Sequence, residues 1–248
     1  ERNCQMTQTT VKPLKVPKSM PDEARHLYDV PNPVNRIPKE DRIRFPDSAT
    51  RPTNDAVLKK IEVTAWHSDL TTQCEGQPIG QRIILHGTVI DGEGNPVPNV
   101  LLETWQCNGA GRYRDFADPG ELPLDPNFIG IGRWVTDEDG LYKFTTIRPA
   151  AYAGPEGSGI PYRPAHLHVS VFGPDLRMRL MTQVYFEGDS LIAGDYVIAD
   201  AATRYEQAQD GLIAHYDPDT TINGGPQQAL GYKWDIVLGG RNATPMEW

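Results

Sequence analysis

From residue 76 onward the chain is cut into short apolar segments by glycine- and proline-rich turns, and this punctuation constrains the fold more than any other feature. Gln81–Asp91 alternates as a strand does, with Ile83, Leu85 and Val89 on one face. Gly92–Pro96 reads as a turn, and Val100–Cys107 as a second strand, with Val100, Leu102 and Thr104 opposite Leu101, Glu103 and Trp105. Gly132–Thr136 and Leu141–Ile147 flank Asp137–Gly140, whose Asp-Gly ending predicts a hairpin. Arg163–Phe172 and Arg179–Phe186 form the next expected pair, joined through Gly173–Asp175, and Tyr232–Leu238 is the last strand. Residues 200–215 predict a helix. Short strands at this spacing predict an all-β fold, an antiparallel β-sandwich with long loops and a few short helices.

The first stretch has another texture. Prolines at Pro17, Pro31, Pro33, Pro38 and Pro46 block long helices and central strands, so residues 1–55 read as an extended arm. Asn54 is placed to cap a short helix through Ala56, Val57 and Ile61. The expected organisation is an N-terminal arm over residues 1–75 and one β domain over residues 76–248. A formal net charge of −9 argues against a general nucleic-acid binder, which needs a basic face, but not against an anionic small substrate met by a local arginine. Cys4, Cys74 and Cys107 are too few and too scattered for a disulfide framework or a zinc knuckle, which favours a reducing compartment. No signal peptide is evident at Glu1, and no apolar run approaches the roughly 18 residues of a membrane span. The expected location is the cytoplasm.

His166 and His168 are two apart in a strand, so both imidazoles leave one face, while Leu167, Val169 and Val171 take the other. Such a pair is half of a metal site, or else two rings on a solvated sheet face. Two loops are long for a compact β domain, Asn108–Gly130 and Pro149–Tyr162. Each carries a tyrosine, Tyr113 and Tyr152, and loops on a rigid scaffold are where sites are usually built.

Trp105–Gln106, Gly111–Arg114, Asp125–Phe128, Thr136–Gly140, Arg163–His168 and Tyr185–Asp189, in this order, resemble the intradiol ring-cleavage dioxygenases, nearest to the branch that acts on protocatechuate. The resemblance runs from Gly76 to Arg241. It implies a non-haem Fe(III) held by Tyr113, Tyr152, His166 and His168. The donor chemistry agrees. Ferric iron is hard and prefers anionic oxygen to thiolate, and a trivalent cation holds a phenol, ordinarily of pKa about 10, as phenolate. Two phenolates and a hydroxide balance three positive charges, so that a buried site carries no net charge.

The resemblance further implies that both atoms of O2 enter a catechol and that the ring opens between its two hydroxyl-bearing carbons to a cis,cis-muconate. Tyr152 would take one substrate proton, Arg163 would stabilise charge on the ring, and Gln183 would donate a hydrogen bond to it. Gly154 and Val197 fall on the expected substrate wall. An α-type subunit or a homo-oligomer is the implied partner.

Around Tyr152 the chain departs from the family pattern. Ala153 and Gly154 stand near the place of a bulky tryptophan, which opens the wall to a larger or differently substituted catechol; catechol, hydroxyquinol and a sulfonated catechol are the alternatives to protocatechuate. Two rival classes remain at this stage. One is a transthyretin-like binding module without chemistry. The other is a divalent-metal hydrolase using His166 and His168 with Glu187 or Asp189.

Overall fold

A computed structural model describes residues 63–246, apart from 116–117, 119–121, 155–161, 174–178 and 206–207. The expected extended arm over 1–55 and the Asn54-capped helix lie outside the described residues. A short helix, α1 (Ala65–Ser68), leads into Leu70, which is fully buried in the main core and donates its backbone N–H to Thr145 O.

Nine of the strands join in one connected sheet. They are β1 (Arg82–Ile90), β2 (Leu101–Trp105), β3 (Ile131–Val135), β4 (Leu141–Ile147), β7 (His166–Phe172), β8 (Arg179–Phe186), β9 (Ile213–Ile222), β10 (Ala229–Lys233) and β11 (Ile236–Val237). β5 (Tyr152–Ala153) and β6 (Tyr162–Arg163) form a separate two-stranded sheet. Alternating residues of the large sheet, Ile83, Leu85, Val89, Leu102, Leu167, Val169, Val171, Val184 and Phe186 among them, meet in one apolar cluster. Strands from both ends of the sheet contribute to that cluster, so the sheet wraps around its own core and is nearly barrel-shaped. Register is strongly specified here, because a slip by one residue would turn each apolar row outward.

The all-β expectation holds, but its antiparallel part needs correction. β1 runs parallel to both β10 and β11, and β8 runs parallel to β9. The parallel pairs arise where a crossover returns the chain to a strand already laid down.

Four local expectations also change. The Asp137–Gly140 turn forms as expected, with Gly140 at φ +70 and its N–H on Asp137 O. Its flanking strands nevertheless do not pair with each other: β3 pairs β2 and β4 pairs β1. The turn therefore joins the two outer edges of the curled sheet. Side chains bridge these edges, since Trp134 Nε1 donates to Leu141 O and the Trp134 ring meets Phe144 edge-on. Arg163–Phe172 is two strands rather than one, because Pro164 lacks the N–H a continuing ladder needs. Tyr232–Leu238 likewise divides into β10 and β11 around Trp234 and Asp235.

The helix expected over 200–215 is replaced by α2 (Tyr196–Ala202), α3 (Ala208–Gly211) and the start of β9. α2 begins earlier because Asp195 caps it, accepting from the N–H groups of Val197 and Ile198. β9 carries Asp217, Pro218 and Asp219, a composition that reads as a loop. A bulge in the β9–β10 pairing and the Asp217 carboxylate, which takes bonds from His86 and Thr220, accommodate it.

Candidate metal centre and its arginine network

The site lies on the sheet face opposite the core. β7 carries it. His166 stands opposite Tyr185 of β8, and His168 stands between Gln183 of β8 and Trp105 of β2. Trp105 stacks on the His168 ring at 4.8 Å and 6°. With Leu167 and Val169 locked into the core on the other face, both imidazoles are aimed by the ladder itself. Their rings lie 5.0 Å apart.

The two long loops supply the tyrosines. Asn108, buried just after β2, organises both loops. Its Oδ1 accepts from the N–H groups of Ala110 and Arg112, its Nδ2 donates to Pro123 O, and its carbonyl accepts from Ala150 N. Gly111 turns the first loop at φ +88, where a Cβ would stand 3.1 Å from Ala151 O; few other residues tolerate that conformation. Tyr113 follows, with its backbone N–H on Asp118 Oδ2. Tyr152 is placed by β5, whose short ladder sets it opposite Arg163.

All four side chains converge. Tyr113 Oη is 3.2 Å from His168 Nε2, Tyr152 Oη is 3.2 Å from His166 Nε2, and the two phenol rings meet edge-on at 5.5 Å. His166 Nδ1 donates to Pro164 O at 2.8 Å, which leaves the Nε2 lone pair facing the cluster. Burial, then the Arg163 charge and His168, hold the His166 pKa well below 6.5, so the ring is neutral and able to bind a metal. Burial, reinforced by the adjacent Tyr152, pushes the Tyr113 phenol well above 10, and burial also raises Tyr152 against the pull of Arg163. Both phenols thus keep their protons until a strong cation displaces them.

This donor set, two part-buried phenol oxygens each facing an imidazole nitrogen, fits a hard trivalent ion. Cys107, the nearby thiol, is pushed up to about 12 by burial and donates to Ala150 O, so no soft thiolate competes. Among the described residues no group of three or more His, Cys, Asp or Glu could hold a metal ion. The carboxylates required by the hydrolase alternative are engaged elsewhere, Glu187 with His215 and Tyr216 N, and Asp189 with Ala165 N and Leu191 N.

Arg163 is 3% exposed and lies beside the cluster. Its Nε donates to Asp195 Oδ2 at 3.0 Å, and its NH2 nitrogen lies 2.7 Å from Gln183 Oε1, 2.9 Å from Tyr185 Oη and 3.2 Å from Asp195 Oδ1. NH1 reaches His166 Nε2 at 3.2 Å and Tyr152 Oη at 3.5 Å. Its carboxylate and phenol neighbours raise the Arg163 pKa despite burial, so the guanidinium is permanently charged.

The structure thus brings together Tyr113, Tyr152, Arg163, His166, His168 and Gln183. Gly154 follows β5, two residues after Tyr152, and buried Val197 is the second residue of α2, two residues after Asp195. Backbone position, not a contact with the cluster, connects these two to the site. Asp195, Asn108 and Tyr185 were not singled out from the sequence. Asp195 carried a legible signal, an acidic residue just ahead of the apolar run Tyr196–Ile198. For Asn108 and Tyr185 nothing in the sequence distinguishes the role.

Comparison with known proteins gives the chain its relatives. The family model described as Dioxygenase matches residues 58–240. The protocatechuate 3,4-dioxygenase beta chain of Burkholderia cepacia is 48% identical over 182 residues, covering 72% of this chain and 74% of its own. The catechol 1,2-dioxygenase of Acinetobacter baylyi is 36% identical over 152 residues, 57% of this chain and 46% of its own, so the chain spans about half of that relative. Among solved structures, 3-chlorocatechol 1,2-dioxygenase from Rhodococcus opacus 1CP superposes with a TM-score of 0.52 at 26% identity, covering 71% of this chain and 66% of that one. No helix among the described residues is long and apolar enough to cross a membrane.

Proposed function

This chain belongs to the intradiol dioxygenase family, and from that premise we propose that it binds Fe(III) through Tyr113, Tyr152, His166 and His168 and opens a protocatechuate-like catechol between its hydroxyl-bearing carbons. The observation that supports this reading most is the convergence of two phenols on two imidazoles at 3.2 Å on a buried β scaffold. When bound, the ion supplies chelation of the catechol dianion and makes a ring carbon electron-rich enough to react with O2.

The chain's own residues do the rest. Tyr152 Oη, as phenolate, accepts one of the two catechol protons. Arg163 lies within reach of that oxygen and favours its anionic form until the proton arrives. The same guanidinium, dry and fixed, stabilises negative charge that develops on the ring. Gln183 holds Arg163 through Oε1 and has amide N–H groups as its donors toward a substrate oxygen. Ala153, Gly154 and Val197 are the proposed substrate wall, and small side chains there would admit larger substituents on the ring than a tryptophan would. The product is the cis,cis-muconate with both oxygen atoms incorporated.

The beta-chain name of the Burkholderia relative supports an α-type partner, with a homo-oligomer as the alternative assembly. The cytoplasm is the proposed location, and a sandwich the proposed finer description of the mixed, nearly barrel-shaped sheet. The test is oxygen uptake by the iron-loaded chain over protocatechuate, catechol, hydroxyquinol and a sulfonated catechol, with and without a partner chain. One O2 consumed per ring opened, by a burgundy protein, is the expected result. A colourless iron-replete preparation that leaves every substrate intact overturns the reading.

A further inference from the structure

We propose that Asp195 is a positioning residue, whose carboxylate ties the start of α2 to Arg163 and thereby decides which edge of the guanidinium faces the catechol site.

Asp195 is 1% exposed, a rare burial for a carboxylate, and both of its oxygens are used. Oδ1 caps α2 through the Val197 and Ile198 N–H groups, and takes bonds from Arg163 NH2 and the Tyr185 hydroxyl. Oδ2 takes the Arg163 Nε–H. Paired with this oxygen, the guanidinium is held along its Nε–NH2 edge in a charge-assisted, two-point contact. Tyr185 and Gln183 hold the same NH2 nitrogen from β8. Tyr196, the first residue of α2, lies over the guanidinium face with the central carbon 5.0 Å from its ring.

The consequence lies in what is left over. Three of the five N–H groups of Arg163 are committed to Asp195, Gln183 and Tyr185, so the NH1 corner points at His166 Nε2 and Tyr152 Oη. When both of those lone pairs are given to a cation, NH1 keeps its orientation and loses its acceptors. A hydrogen-bonding edge is then presented to whatever anionic oxygen or carbon lies beside the ligands. Without Asp195 the arginine stem is free to rotate, and the charge moves away from the place where it is needed. The same clamp links Val197, two residues along α2, to the position of Arg163, so the substrate wall and the charge are set by one carboxylate.

The inference rests on the proposed ring-cleaving function, and its test separates the two. Asp195→Asn keeps an N-cap of equal quality, so α2 is retained, while the charge on the clamp is lost and the buried, unpaired guanidinium lowers the melting temperature. In the metal-free chain, the Arg163 Nε–H resonance is expected to exchange slowly with water in the parent and at least tenfold faster in D195N. In the iron-loaded protein, kcat with protocatechuate is expected to fall on the order of 100-fold with KM changed less than threefold, while iron content and the visible tyrosinate band stay unchanged. Asp195→Glu should recover part of the exchange protection. Equal exchange in parent and D195N overturns the clamp, whatever the activity. A parent that is protected but inactive on every catechol leaves the clamp standing and overturns the function. Unaltered kcat in D195N overturns the positioning role.

Discussion

The two halves of the centre are held in different ways. His166 and His168 ride on β7, where every second residue is locked into the core and both neighbouring strands are paired in register. Tyr113 and Tyr152 hang from loops, and their placement depends on a handful of side chain–backbone bonds, chiefly those of Asn108, and on a two-residue ladder. The imidazole half is therefore held by the sheet itself, whereas the phenol half depends on local contacts. The proton-accepting role proposed for Tyr152 falls on this more locally held half.

Replacing a residue on each half should break this contrast in opposite ways. His168→Ala has the largest expected effect: iron binding and ring cleavage both fall, by on the order of 100-fold or more, because one ligand is lost outright. The fold should persist, since the opposite face of β7 is untouched; iron stoichiometry and thermal unfolding of the same preparation check both points. Asn108→Ala comes next. Three backbone partners lose their side-chain anchor, at a cost of about 1–3 kcal/mol, and the Tyr113 loop loosens. A melting point lower by several degrees and a shifted tyrosinate absorption band are expected, with the His ligands retained. A band identical to the parent's would show that the loop does not depend on Asn108.

The smallest effect belongs to a polar cluster far from the chemistry. The Asp217 carboxyl is held below its usual 3.8 by the Thr220 hydroxyl first, and also by His86. A carboxyl whose folded-state pKa is depressed adds stability above its unfolded pKa, and that stability is lost as pH falls through the folded value. Asp217→Asn should therefore be slightly less stable than the parent at neutral pH, with the gap closing as the pH falls below 3.8. Denaturant midpoints measured across that range check the sign. Ring cleavage should not change, because Asp217 joins β9 to β1 and does not touch the site.

Much of the proposed centre could be read in the sequence because the side chains that converge there carry local signals. The His-x-His spacing needs only a strand to put both rings on one face, and that strand announced itself through Leu167, Val169 and Val171. Tyr113 and Tyr152 were legible through the motifs around them rather than through any periodicity of their loops. Asn108 and Tyr185 were not legible, because their importance lies in partners 15 to 42 residues away for Asn108 and 10 to 22 for Tyr185. The same limit explains the turn at Asp137–Gly140. Its chemistry specified a tight reversal, and nothing local could say that the flanking strands would pair with β2 and β1 instead of each other.

Residue order alone thus determined that the chain is β-rich, where its turns fall, and which face of β7 carries the two imidazoles, because these follow from side-chain alternation and backbone stereochemistry within a few residues. Tertiary structure decided the parallel pairings, the division of the last strand, and the grip of Asp195 on Arg163, because each depends on which distant backbone or carboxylate arrives within hydrogen-bond reach once the sheet has curled around its core.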